Sequence, residues 1–73
     1  MDFYLVWFDD DRKKAASIKI EEAIEAYKRR TGRHPNVVLI NERDRGESPA
    51  GIRLRTPPYV QPSYFYVGVE EVA

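Results

Sequence analysis

FYLVWFDDD, residues 3–11, sets six apolar or aromatic residues in a row and closes them with three aspartates. Aromatic and β-branched residues without a break read as a β-strand, Phe3 to Phe8, apolar on both faces. Alternation puts Phe3, Leu5 and Trp7 on one side and Tyr4, Val6 and Phe8 on the other. A strand of this kind predicts a central place in a sheet that is buried on both sides. What covers it has to be found further along the chain.

A helix follows. Ile20, Ala23, Ile24 and Tyr27 recur at i, i+3, i+4 and i+7, which gives one apolar stripe. Asp10 or Asp11 would cap a start near Arg12, and Ser17 a later one. Glu21 and Glu22 suit a first turn, whereas Arg12, Lys13 and Lys14 do not, so the spacing favours a start near Ser17. Gly32 can take the left-handed conformation that closes a helix and Pro35 prevents its resumption, so the end falls near Thr31. Lys28, Arg29 and Arg30 complement the negative end of the dipole, and Glu25 is spaced to pair with Arg29.

Val37 to Ile40 reads as a second doubly apolar strand, and strand, helix, strand makes a βαβ unit with parallel strands. Residues 41–50, NERDRGESPA, form a polar loop without periodicity. Ile52 and Leu54 alternate with Arg53 and Arg55, marking a third strand. Residues 56–63, TPPYVQPS, are a stiff proline-rich connection. Tyr64 to Glu71 reads as the fourth strand, with Phe65, Val67 and Val69 on one face and Tyr64, Tyr66 and Gly68 on the other. The fold class is therefore α+β, one small domain over residues 1–73, in the order β-α-β-β-β. One helix packs on one face of a mixed four-stranded sheet, with the first two strands expected at its centre.

Composition narrows the function. Twelve basic and twelve acidic residues cancel, so nothing at the level of net charge favours nucleic acid or a membrane. There is no cysteine and a single histidine, which excludes a disulfide framework and a thiolate metal site. No run approaches the ~20 apolar residues of a membrane span, and residues 3–8 do not make a signal peptide. The expectation is a cytoplasmic protein without a cofactor. A chain this short hides only about 60% of its unfolded surface, and association is a common remedy for so small a core.

One helix covers one sheet face. The other would display Tyr4, Val6, Phe8, Tyr64 and Tyr66 with Arg53 and Arg55. Aromatic residues and arginine without lysine are the composition of a protein interface. The first expectation for function is a non-enzymatic interaction or assembly module that forms a homodimer through this face. Folding of the long loop and the proline-rich segment over the face is the internal alternative.

Two further surfaces carry chemistry. Asp9 and Asp11 follow the first strand, and Glu42 and Asp44 follow the second. If those strands are neighbours, the carboxylates form an oxygen cluster for a divalent metal and a phosphodiesterase reaction. A strand ending in Asp9 ahead of a helix resembles the small ferredoxin-like CRISPR-associated nucleases over the first half of the chain. That fold carries a second helix and residues 41–73 have no helical period, so the resemblance assigns no residue. Read structurally, the same aspartates cap the helix and complement its N-terminus, with Arg43 and Arg45 as counter-charges. The second surface is the basic run Lys28, Arg29, Arg30 and Arg33, which Arg53 and Arg55 could extend into a nucleic-acid-binding patch. The ordinary reading of that run is dipole chemistry, and of His34 a helix cap. No nucleophile elbow and no phosphate loop is present.

Overall fold

The computed structural model describes residues 4–71, so Phe3, the first residue of the expected opening strand, lies outside them. Its elements are β1 (Tyr4–Phe8), α1 (Ala16–Thr31), β2 (Val37–Ile40), a 3-10 turn (Glu42–Asp44), β3 (Arg53–Arg55) and β4 (Tyr64–Gly68). The fold is α+β, with one α-helix on one face of a mixed four-stranded sheet. Its radius of gyration of 11.3 Å is that of a compact domain of this length.

The strand order is β1-β4-β2-β3, with β4 antiparallel to both of its neighbours and β3 parallel to β2. β1 and β2 do run parallel across the helical connection, but β4 lies between them. The expectation that both occupy the centre is corrected: β2 is central and β1 is an edge. The reason lies in β4, which buries Phe65 and Val67 completely under the helix. Its Gly68 is opposite Tyr4 on one side and Val37 on the other, and bears no side chain to crowd either.

The helix start also differs from expectation. Ala15 is the N-cap and offers no side-chain cap, so neither an aspartate nor Ser17 fills that role. Asp9 and Asp11 shape the approach instead. Asp9 Oδ1 accepts the Asp11 N–H at 3.0 Å and Asp11 Oδ1 accepts the Lys13 N–H at 2.9 Å, two successive Asx turns. Lys14 then ties the turn to the helix, with Nζ 3.0 Å from Asp9 and 2.7 Å from Glu22. Gly46 brings the long loop against the first helical turn, where a Cβ would lie 3.2 Å from the Ser17 nitrogen.

The helix ends as its sequence requires. Gly32 adopts φ 71° and donates its N–H to the Lys28 carbonyl at 2.7 Å. Thr31, not His34, is the side chain that closes the end, donating to the Tyr27 carbonyl and accepting from the Arg33 N–H. Glu25 pairs with Lys28 at 3.3 Å rather than with Arg29.

Packing divides into two layers. Ile20, Ala23, Ile24 and Tyr27 meet Val38, Ile40, Phe65 and Val67, with Leu5, Trp7, Ile52, Leu54 and Val69 around them. The helix-free face holds a second, smaller cluster of Val37, Leu39 and Val60, bordered by Tyr4, Tyr64 and Tyr66.

Candidate interaction surface

Half of the helix-free face is covered from within the chain. Val60, the one aliphatic residue of the proline-rich segment, is seated on Val37 and Leu39 and is 1% exposed. Its placement is fixed by polar contacts. Asn41 donates its side-chain N–H to the Val60 carbonyl at 2.8 Å, and Asp44 accepts the Ser63 N–H at 2.8 Å. The Ser63 carbonyl accepts the Asp9 N–H at 3.0 Å. Ser63 itself has φ 73°, a left-handed conformation that a non-glycine residue keeps only when its neighbours impose it. The internal-cover alternative therefore holds over β2.

Over β1 and β4 it does not. Val6 is 50% and Phe8 55% exposed, and Tyr4, Tyr64 and Tyr66 beside them are partly exposed. The strands' register sets Val6 opposite Tyr66 and Phe8 opposite Tyr64, whose rings lie 5.0 Å apart with their planes inclined by 55°. These five side chains form a strip with no charged member. They are the five apolar residues expected at an interface.

The two arginines expected with them share the helix-free face but stand across it from the strip. Arg53 and Arg55 sit on β3, at the far edge of the sheet, and both reach the Glu70 carboxylate, at 3.6 and 3.0 Å. Asn36 holds Glu70 in place by a reciprocal pair, donating to its carbonyl and accepting its N–H, each at 2.8 Å. This edge of the sheet is polar and internally paired.

The basic run is likewise divided. Lys28 is occupied by Glu25, while Arg29, Arg30 and Arg33 are exposed at the end of the helix. That end lies on the helix side of the sheet, whereas Arg53 and Arg55 project from the other. His34 is exposed.

The four candidate metal ligands have other tasks. β4 separates the strands that Asp9 and Glu42 follow. Asp9 faces Lys14, Asp11 belongs to a turn, Glu42 pairs with Arg45 at 3.0 Å, and Asp44 anchors Ser63. Among the described residues no group of three or more histidine, cysteine, aspartate or glutamate side chains is placed to hold a metal ion.

Asp9 nonetheless has a measurable signature. Its carboxyl is held below the ordinary carboxylate range, chiefly by the hydrogen bond from the Asp11 N–H and then by Lys14. A carboxyl that is more acidic in the folded state stabilises the fold above its unfolded pKa. That contribution is lost as pH falls through its lower folded value. The melting temperature should therefore decline on acidification below pH ~4, the ordinary aspartate value, and Asp9→Asn should be less stable at neutral pH with a flatter acid limb. Thermal melts of both proteins between neutral and strongly acid pH test this. Equal slopes would remove Asp9 from the account.

Sequence reading missed three positioning residues: Asn36, Asn41 and Val60. The signal for Val60 was present, since a lone aliphatic residue amid prolines has to be buried somewhere. Asn41 had a local signal, since its Oδ1 accepts the Arg43 N–H at 2.9 Å and caps the 3-10 turn, but its bond to Val60, 19 positions away, had none, and neither had the bonds of Asn36 to Glu70, 34 positions away.

Comparison with known protein families, curated proteins and solved structures gives no match. No helix among the described residues is long and apolar enough to cross a membrane.

Proposed function

We propose that this chain is a small assembly module that forms a homodimer through the uncharged strip of Tyr4, Val6, Phe8, Tyr64 and Tyr66. One observation carries the reading: Val6 and Phe8 are half-exposed, adjacent and apolar on a face that the chain covers elsewhere with its own segment. A patch left open beside a covered one is a binding surface in waiting. A second copy is the favoured occupant because the strip has no charge by which to select a different partner. The chain's formal charge of zero also sets no repulsion against its own kind. A core of this size gains most from such burial.

The reading is tested by the solution mass at low and high salt over a range of protein concentrations. Twice the chain mass of 8.5 kDa at micromolar concentration, undiminished by salt, is the expected result. Apolar burial is not screened as ion pairs are. A mass of 8.5 kDa throughout, up to millimolar protein, would overturn it.

A further inference from the structure

β1 presents more than side chains. The Asp9 N–H bonds to the Ser63 carbonyl and continues the register in which Phe8 faces Tyr64 and Trp7 faces Phe65. In an antiparallel ladder, main-chain groups point alternately toward and away from the neighbour. Leu5, Trp7 and Asp9 therefore turn their N–H and C=O groups toward β4, and Val6 and Phe8 turn theirs toward the open edge of the sheet.

The two edges are unlike. β3 is three residues long, carries Arg53 and Arg55, and runs into Pro57 and Pro58. Short length, charge and proline are the ordinary means of blocking a sheet edge. β1 has five residues, no charge, no proline, and a full ladder to β4 that leaves it extended. Among the described residues one edge is guarded and the other is open.

Resting on the proposed homodimer, we infer that two copies join edge to edge, β1 antiparallel to β1, into one eight-stranded sheet with the two-fold axis at Val6. This arrangement closes. Pairing the open edges leaves only the guarded β3 edges outside, so the assembly stops at two and does not grow into a fibre.

The register follows from which groups face outward. Outward-facing residues must meet outward-facing residues, so Val6 pairs with Val6 or with a residue two positions along. With Val6 on the axis, Tyr4 lies across from Phe8 of the second copy, and Leu5 lies across from Trp7 of the second copy. All five positions of β1 are then matched apolar to apolar. Moving the axis to Trp7 sets Asp9 against Leu5, burying a carboxylate beside an alkyl group.

The helices permit the join. α1 lies over β4, one strand in from the edge. Strands are spaced ~4.8 Å apart, so the two helices would stand about 14 Å apart across the joined sheet. That exceeds the 8–10 Å of direct helix contact and leaves room for Leu5 and Trp7 of both copies. Trp7 also lines a cleft with Glu22, Glu25 and Arg29, and its Nε1–H is the one buried side-chain polar atom among the described residues without a hydrogen-bond partner.

Amide hydrogen exchange and filtered NOE spectra on the unmodified protein decide the matter. The Val6 N–H should exchange about tenfold more slowly once nine-tenths of the chains are paired, because only the unpaired tenth remains open. The Trp7 N–H, already directed at β4, is the internal reference. In a mixture of isotope-labelled and unlabelled chains, the Hα protons of Leu5 and Trp7 should show an intermolecular cross-peak. A dimeric mass with a Val6 N–H that exchanges no more slowly on association would overturn edge pairing and leave the homodimer standing, as stacked faces. A Trp7 to Trp7 cross-peak would overturn the register alone. Slowed Val6 exchange only on adding an unrelated extended peptide to a monomeric protein would overturn both proposals and identify a strand-addition site for another chain.

Discussion

Phe65→Ala is expected to remove most of the stability of this fold. Phe65 is fully buried and stands at the crossing of the three longest strands, opposite Trp7 on β1 and Ile40 on β2 and beneath the helix. Truncating a buried phenylalanine costs about 3–5 kcal/mol, by lost transfer energy and by the cavity left behind. A domain of this length has about 4–11 kcal/mol in total, at 0.05–0.15 kcal/mol per residue. Urea unfolding followed by the single tryptophan, Trp7, reads the loss directly. Phe8→Ala is the matched control. It removes the same ring one strand away, where half of it already meets water, and should cost the isolated monomer no more than about 1 kcal/mol. If the two substitutions cost the same, β4 is not the strand around which the core is built.

That contrast also shows what the sequence allowed to be read. Side-chain alternation survives any strand order, so the division of each strand into two sets, Leu5 against Tyr4 and Val6, and Phe65, Val67 and Val69 against Tyr64 and Tyr66, was accessible from spacing alone, whereas the sharing of one face by Leu5 and Val67 follows only from the register. Strand order was not. Six apolar residues in a row require burial on two sides, but they do not say whether the second side is buried by the same chain. The apolar run therefore fits an edge strand with both faces covered as well as it fits a central one. The stronger sign of centrality was Gly68, a glycine inside an aromatic strand, which allows flanking strands to approach.

The acidic pole illustrates a different limit. Composition pointed correctly to local, structural uses for Asp9 and Asp11 but to the wrong one. A cap and an Asx turn require the same side chain two or three residues before the same kind of backbone, and only the extended ψ of 150° at Ala15, which puts the helix start there, separates them. Convergence of Asp9 with Glu42 hinged on β1 and β2 being neighbours, and the insertion of β4 between them depends on the last dozen residues of the chain. Long-range pairing of that kind has no local signature.

Val6→Lys should abolish association while leaving the fold intact. On β1 the side chain is half-exposed and opposite Tyr66, so a lysine can direct its ammonium to water while its stem still covers the ring. The cost to the monomer should stay within the span of strand propensities, about 1 kcal/mol. In the proposed dimer the same position lies on the two-fold axis, so each substitution appears twice and two like charges stand directly opposite each other across the paired strands. Lysine at such a position is the standard means by which sheet edges are kept apart. The parent protein should melt at a temperature that rises with protein concentration, because association draws the equilibrium toward the folded state. The variant should melt at one temperature at every concentration, with half the parent's solution mass. A variant that remains dimeric would place the interface away from β1 altogether. A parent whose melting temperature is also independent of concentration would mean that the open strip, for all its exposure, has no second copy to meet.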